Sequence, residues 1–116
     1  MEELDYSVRA VARHIPISPQ KVRRVLDQVR GKEVEEALAL LRFMPQRASR
    51  PVAKLIRSAV ANADDRYGFG PDELYIDQIY ADDGPQLKRY RFGARGRFKP
   101  RLKRSSHITV ILGFRY

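Results

Sequence analysis

The sequence predicts an α+β fold: three helices packed on a small antiparallel sheet, with a long β-hairpin protruding from it. Three observations predict it. Apolar residues recur at helical spacing in three segments of the N-terminal part. Two later segments, Leu74 to Ala81 and His107 to Leu112, have strand character. Between those strands lies a stretch so rich in cations that it has no place in a core. With 116 residues, 43% of them hydrophobic, the chain has enough apolar surface for one domain, expected to span 1–116.

Tyr6 to Arg13 reads as a short first strand, with Arg9 and Arg13 among small and apolar residues. The first helix starts sharply: Ser18 can cap free amides, and Pro19 suits a first position that needs no N–H. Val22, Val25, Leu26 and Val29 follow on one face, and Gly31 supplies the stop. Lys21 and Arg24 flank one side of that face, Arg23 and Arg30 the other.

Glu33 to Phe43 is the second helix. Glu33, Glu35 and Glu36 favour its positive end, Val34, Leu38 and Leu41 face inward, and Met44-Pro45 breaks it. The third helix runs to about Asp64 with Val52, Leu55, Ile56, Ala59, Val60 and Ala63 as its core face. Pro51 must lie in its first turn or two, or else kink it. Opposite the core face, Arg47, Arg50, Lys54 and Arg57 fall within about a quarter-turn of one another. They read either as a phosphate-binding surface or as an ordinary solvated face.

Arg66 to Pro71 is a turn-rich connector. In the last strand Ile108, Val110 and Leu112 share one face, with Thr109 and Ile111 on the other. If the two strands pair antiparallel, the chain between them must go out and return, reversing near Gly93-Ala94-Arg95-Gly96. Each limb then reaches roughly 30 Å from the body.

That hairpin carries the charge. Lys88, Arg89, Arg91, Arg95, Arg97, Lys99, Arg101, Lys103 and Arg104 are nine cations in seventeen residues with no acidic one. The rest of the chain holds fourteen Lys/Arg against fourteen Asp/Glu, so the net charge of +9 belongs to the arm. Nine like charges repel unless a polyanion neutralises them, which makes nucleic acid the first partner to consider. Such a ribbon should be mobile alone and become ordered on binding. If every cation met a phosphate, log K would fall against log salt with a slope of roughly −6 to −8. Tyr90, Phe92 and Phe98 lie among the cations, where rings can stack on unpaired bases or pack across the ribbon.

Other classes fit poorly. No cysteine is present, so disulfides and thiolate metal sites are excluded. The acidic Met1-Glu2-Glu3-Leu4-Asp5 is no signal peptide, and no apolar run approaches a membrane span, so a soluble, intracellular protein is expected. The two histidines, His14 and His107, form no triad; His107 suits a hydrogen bond to backbone or phosphate. Asp82-Asp83 precede a Gly84-Pro85 turn and point to opposite faces, which favours a structural role. No catalytic constellation, cofactor cradle or small-molecule site is legible.

Five ordered pieces then carry a resemblance. Ser18-Pro-Gln-Lys-Val-Arg-Arg-Val through Val29-Arg-Gly31-Lys32, Ser58-Ala-Val-Ala-Asn62-Ala63, Asp82-Asp-Gly84-Pro85 with Lys88-Arg89, Ala94-Arg-Gly-Arg97, and Lys103-Arg-Ser-Ser-His107-Ile-Thr-Val110 follow one another in a single order. Together, over about Val8 to Leu112, they resemble the family of bacterial large-ribosomal-subunit protein twenty-two. The resemblance implies a non-enzymatic, cytoplasmic component of the large subunit that binds ribosomal RNA and supports assembly beside neighbouring ribosomal proteins. It implies a hairpin from Gly84 to about Ser105 that lines the nascent-peptide exit tunnel. The tip, Phe92-Gly93-Ala94-Arg95-Gly96-Arg97, would meet the growing polypeptide. The RNA-binding set would be the nine arm cations with Lys21, Arg24, Lys32, Arg47, Arg50, Lys54, Arg57 and His107. Pro51 and Arg91-Phe92-Gly93 depart from the family's usual residues.

Two other readings compete. The first two helices could form a helix-turn-helix on DNA, but the second is acidic where base contacts would be made. Membrane binding through the arm lacks an amphipathic basic helix.

Overall fold

The computed structural model describes residues 7–85, 87–92 and 98–114. Strand β1 (Val8–Ile15) leads into α1 (Pro19–Val29), α2 (Val34–Phe43) and α3 (Ser49–Tyr67). After a short 3-10 turn at Pro71–Glu73 come β2 (Leu74–Asp83), β3 (Leu87–Phe92), β4 (Phe98–Lys103) and β5 (Ser106–Phe114). Three helices on an antiparallel sheet is the expected α+β architecture.

Strand β5 is the centre of the sheet, with β1 and β2 antiparallel on either side. Its Ile108, Val110 and Leu112 are fully buried under the helices, because alternation sends all three to one face. Helix α3 packs on β1 and β5, α1 on β2, and α2 against α3. Strand β2 has a bulge between Ile76 and Gln78. The extra residue resets the alternation, so Leu74, Ile76, Ile79 and Ala81 all reach the core.

In α1 the apolar stripe is buried as expected: Val22, Val25, Leu26 and Val29 are inaccessible. Burying each contributes about 1.5–3 kcal/mol. Its start differs in one respect. Ser18 holds the capping position, but its hydroxyl makes no capping bond; its carbonyl takes the amides of Lys21 and Val22 instead. Gly31, at φ +79°, turns the chain after Arg30. In α2 the buried stripe is Val34, Ala37 and Leu41, so Leu38, expected inside, is only half-buried. Helix α3 starts at Ser49, which puts Pro51 in its first turn, where a missing N–H leaves no helical bond unmade. It runs three residues beyond Asp64, until Gly68 adopts φ +71° and returns its amide to the Asp64 carbonyl. Val60, expected in its core face, is half-buried.

The outer edge of β2 is sealed. Gly31 N–H donates to the Ile76 carbonyl, and Ile76 N–H to the Lys32 carbonyl. The Arg30 and Arg23 guanidiniums donate to the carbonyls of Ile79 and Ala81. An edge strand covered in this way cannot template pairing with another chain.

Strands β3 and β4 form a separate antiparallel ribbon. It prolongs the β2–β5 ladder: Asp83 pairs with Ser106, Gly84 N–H donates to the Ser105 carbonyl, and Leu87 pairs with Lys103. A radius of gyration of 17.6 Å, against roughly 13 Å for a compact chain of this length, goes with that extension.

Candidate nucleic-acid interface

The ribbon's register explains its electrostatics. Arg89 stands opposite Arg101 and Arg91 opposite Lys99, with Lys88 opposite Leu102 and Phe92 opposite Phe98. Like charges directly across a ladder destabilise it, and a two-stranded ribbon has little else to hold it. The reversal, with Gly93, Ala94, Arg95, Gly96 and Arg97, lies outside the described residues. Arg104, just past β4, is exposed.

The ribbon's root, in contrast, is tied down. The Ser105 hydroxyl donates to the Pro85 carbonyl at 2.7 Å, and Gly84 lies so close to Ser105 that a side chain there would meet it. Ser106, fully buried, donates its hydroxyl to the Ile17 carbonyl at 2.5 Å, joining β5 to the entry of α1. His107 accepts the backbone N–H of His14 on Nδ1 at 3.1 Å. With Nδ1 taken up as an acceptor, Nε2 is the ring nitrogen left to donate. His14 sits at φ +58° in a bulge of β1 between Ala12 and Ile15.

A second cationic surface lies on the helices. Arg47, Arg50, Lys54 and Arg57 are all exposed, and among the described residues none makes a hydrogen bond or ion pair. The helical spacing anticipated this row. It missed Arg42, which α2 contributes from the opposite wall of the same groove. No local signal in the sequence joins Arg42 to the others, because the link is the packing of α2 on α3.

Around α1 the set divides. Lys21 and Arg24 are exposed and unpaired among the described residues. Lys32 pairs with Glu36 at 3.3 Å, and Arg30 with Asp27 at 2.6 Å. Both pairs are solvent-exposed and contribute little to stability, but each partly neutralises its cation locally. Glu36 performs that role for Lys32, one turn along α2.

Asp82 and Asp83 end β2, both exposed and opposite His107 and Ser106. Among the described residues no cluster of His, Asp or Glu could hold a metal ion. No described helix is long and apolar enough to cross a membrane. The first turn of α2 presents Glu35 and Glu36, the wrong sign for a helix entering a DNA groove.

Residues 10–113 match the family described as Ribosomal protein L22p/L17e. A large ribosomal subunit protein uL22 of Synechococcus sp. strain JA-2-3B'a(2-13) is 54% identical over 112 residues, covering 97% of this chain and 90% of its own length. A uL22 of Synechococcus sp. strain ATCC 27144 is 53% identical over 105 residues, covering 90% of each chain. That of Thermomicrobium roseum is 50% identical over 105 residues, covering 90% of this chain and 89% of its own.

Proposed function

The chain belongs to the ribosomal protein L22p/L17e family, and from that premise we propose that its cationic ribbon is the part threaded into RNA. The protein is a structural, non-enzymatic component of the cytoplasmic large ribosomal subunit and binds ribosomal RNA. Ribosomal RNA and neighbouring large-subunit proteins are its partners.

Within that role the parts divide by charge. The body docks through Lys21, Arg24, Lys32 and the α3 row, and the hairpin at about 84–105 extends between RNA segments. Phosphates neutralise the nine arm cations and hold the ribbon straight. The tip, Phe92 to Arg97, lines the nascent-peptide exit tunnel, where the growing polypeptide passes it. His107 donates from Nε2 to RNA at the ribbon's root. The observation carrying this reading is charge segregation: a body balanced at zero and an arm with cation opposite cation.

Ribosome profiles of two variant classes test it. Neutralising Lys88, Arg89, Lys103 and Arg104 at the base is expected to reduce incorporation into large subunits. Neutralising Arg95 and Arg97 at the tip is expected to leave incorporation near normal while changing tunnel-wall accessibility. Equal incorporation defects in both classes would contradict the division of labour.

A further inference from the structure

Between α2 and α3 lies an open groove of about 1050 Å³. Clefts that enclose small ligands measure about 300–1,000 Å³, so it has room for a nucleotide. Its floor is apolar: Leu41 is buried, and Leu38, Met44 and Ala53 are half-buried. Its rim is cationic: Arg42, Arg47, Arg50, Lys54 and Arg57, with no acidic residue among the lining groups.

The rim is placed against the helix's own interest. Arg47 and Arg50 stand at the positive end of α3, and no acidic residue occupies its first turn. Cations there cost stability unless an anion arrives. The connecting loop is also fixed. Ser49 is buried and donates its hydroxyl toward the carbonyls of Gln46, at 2.7 Å, and Met44, at 3.3 Å. Met44 and Ser49 return their amides to Leu41 and Gln46. The groove is thus built before any ligand enters.

We infer that this groove takes an unpaired RNA nucleotide, with its phosphates on the arginine and lysine rim and its base on the floor. The inference rests on the RNA-binding reading above. Phosphates alone would be met by the rim. A paired helix hides its base faces, so an apolar floor gains nothing from it. An extruded nucleotide offers both the charge and the flat face that this lining accommodates. Guanidiniums on the rim can stack on the base, and the exposed Gln46 amide can reach its edge.

The full-length protein is titrated with two RNA hairpins of equal length, one fully paired and one carrying a single bulged 2-aminopurine. The bulged RNA is expected to bind about tenfold more tightly, with a change in 2-aminopurine fluorescence on binding. Ala53→Trp, which fills the floor, is expected to abolish that preference, whereas Phe43→Ala, outside the groove, is expected to keep it. Should Ala53→Trp unfold the protein, Arg47→Ala in the loop serves: it is expected to weaken the bulged RNA more than the paired one. Equal affinity of the unaltered protein for the two RNAs would overturn the groove site and leave RNA binding intact. Failure to bind either RNA would instead overturn the reading beneath it. Polyglutamate binding that Ala53→Trp abolishes, with the bulged and paired RNAs bound equally, would assign the groove to an acidic peptide and overturn the proposal.

Discussion

His14 donates its backbone N–H to Nδ1 of His107, and the two rings meet edge to face with centroids 5.0 Å apart. The contact fixes the bulge of β1 against the strand that emerges from the ribbon. His14 adopts φ +58°, a conformation that costs a β-branched residue most and glycine nothing.

His14→Gly should therefore fold with a stability close to that of the unaltered protein, the relief of strain offsetting the lost ring contact. His14→Val keeps the N–H but should lose about 1–3 kcal/mol. Urea denaturation of the two variants checks the order; Val equal to Gly would mean that the strain is not there.

Ser106→Ala removes a fully buried hydroxyl and leaves the Ile17 carbonyl without its donor. A loss of about 1–3 kcal/mol in unfolding free energy is expected. Because Ser106 joins the ribbon's root to the entry of α1, amide exchange should quicken at both places.

Ile56→Ala deletes a fully buried side chain from the middle of α3 and should cost about 2–5 kcal/mol. Phe43→Ala should change stability by less than about 0.5 kcal/mol, since Phe43 is 83% exposed. Thermal unfolding of both measures how well the core assignment separates bulky residues by position.

The ribbon's register makes a sharper forecast. Arg101→Glu places an anion opposite Arg89 and should stabilise the free ribbon by about 0.2–1 kcal/mol. The same change should weaken RNA binding and flatten its salt dependence. Exchange at the β3 and β4 amides, faster in the free protein than at the centre of β5, should slow in the variant. Unchanged RNA affinity would detach the ribbon from the polyanion.

Much of this was legible in the residues because the patterns were local. The Val22, Val25, Leu26, Val29 stripe and the Ile108, Val110, Leu112 alternation each lie within one element, and both are buried. Elements ended where tertiary partners decided. Strand β1 extends to Ile15 because the bulge at His14 lets pairing resume with Ser106, and no periodicity announces a bulge. Arg23 and Arg30 read as flanking charges, yet they reach carbonyls on β2 more than forty residues away. The α3 row was legible as a helical face. The groove it borders was not, since it exists only once Arg42 and Leu38 of α2 are packed beside it.

Density for this protein in purified large subunits would be the most direct measurement. Strands β3 and β4 are expected to be enclosed by RNA, with phosphates beside the positions of Arg89, Arg91, Lys99 and Arg101. A ribbon lying on the subunit's outer surface, or folded onto the body's own carboxylates, would contradict that enclosure.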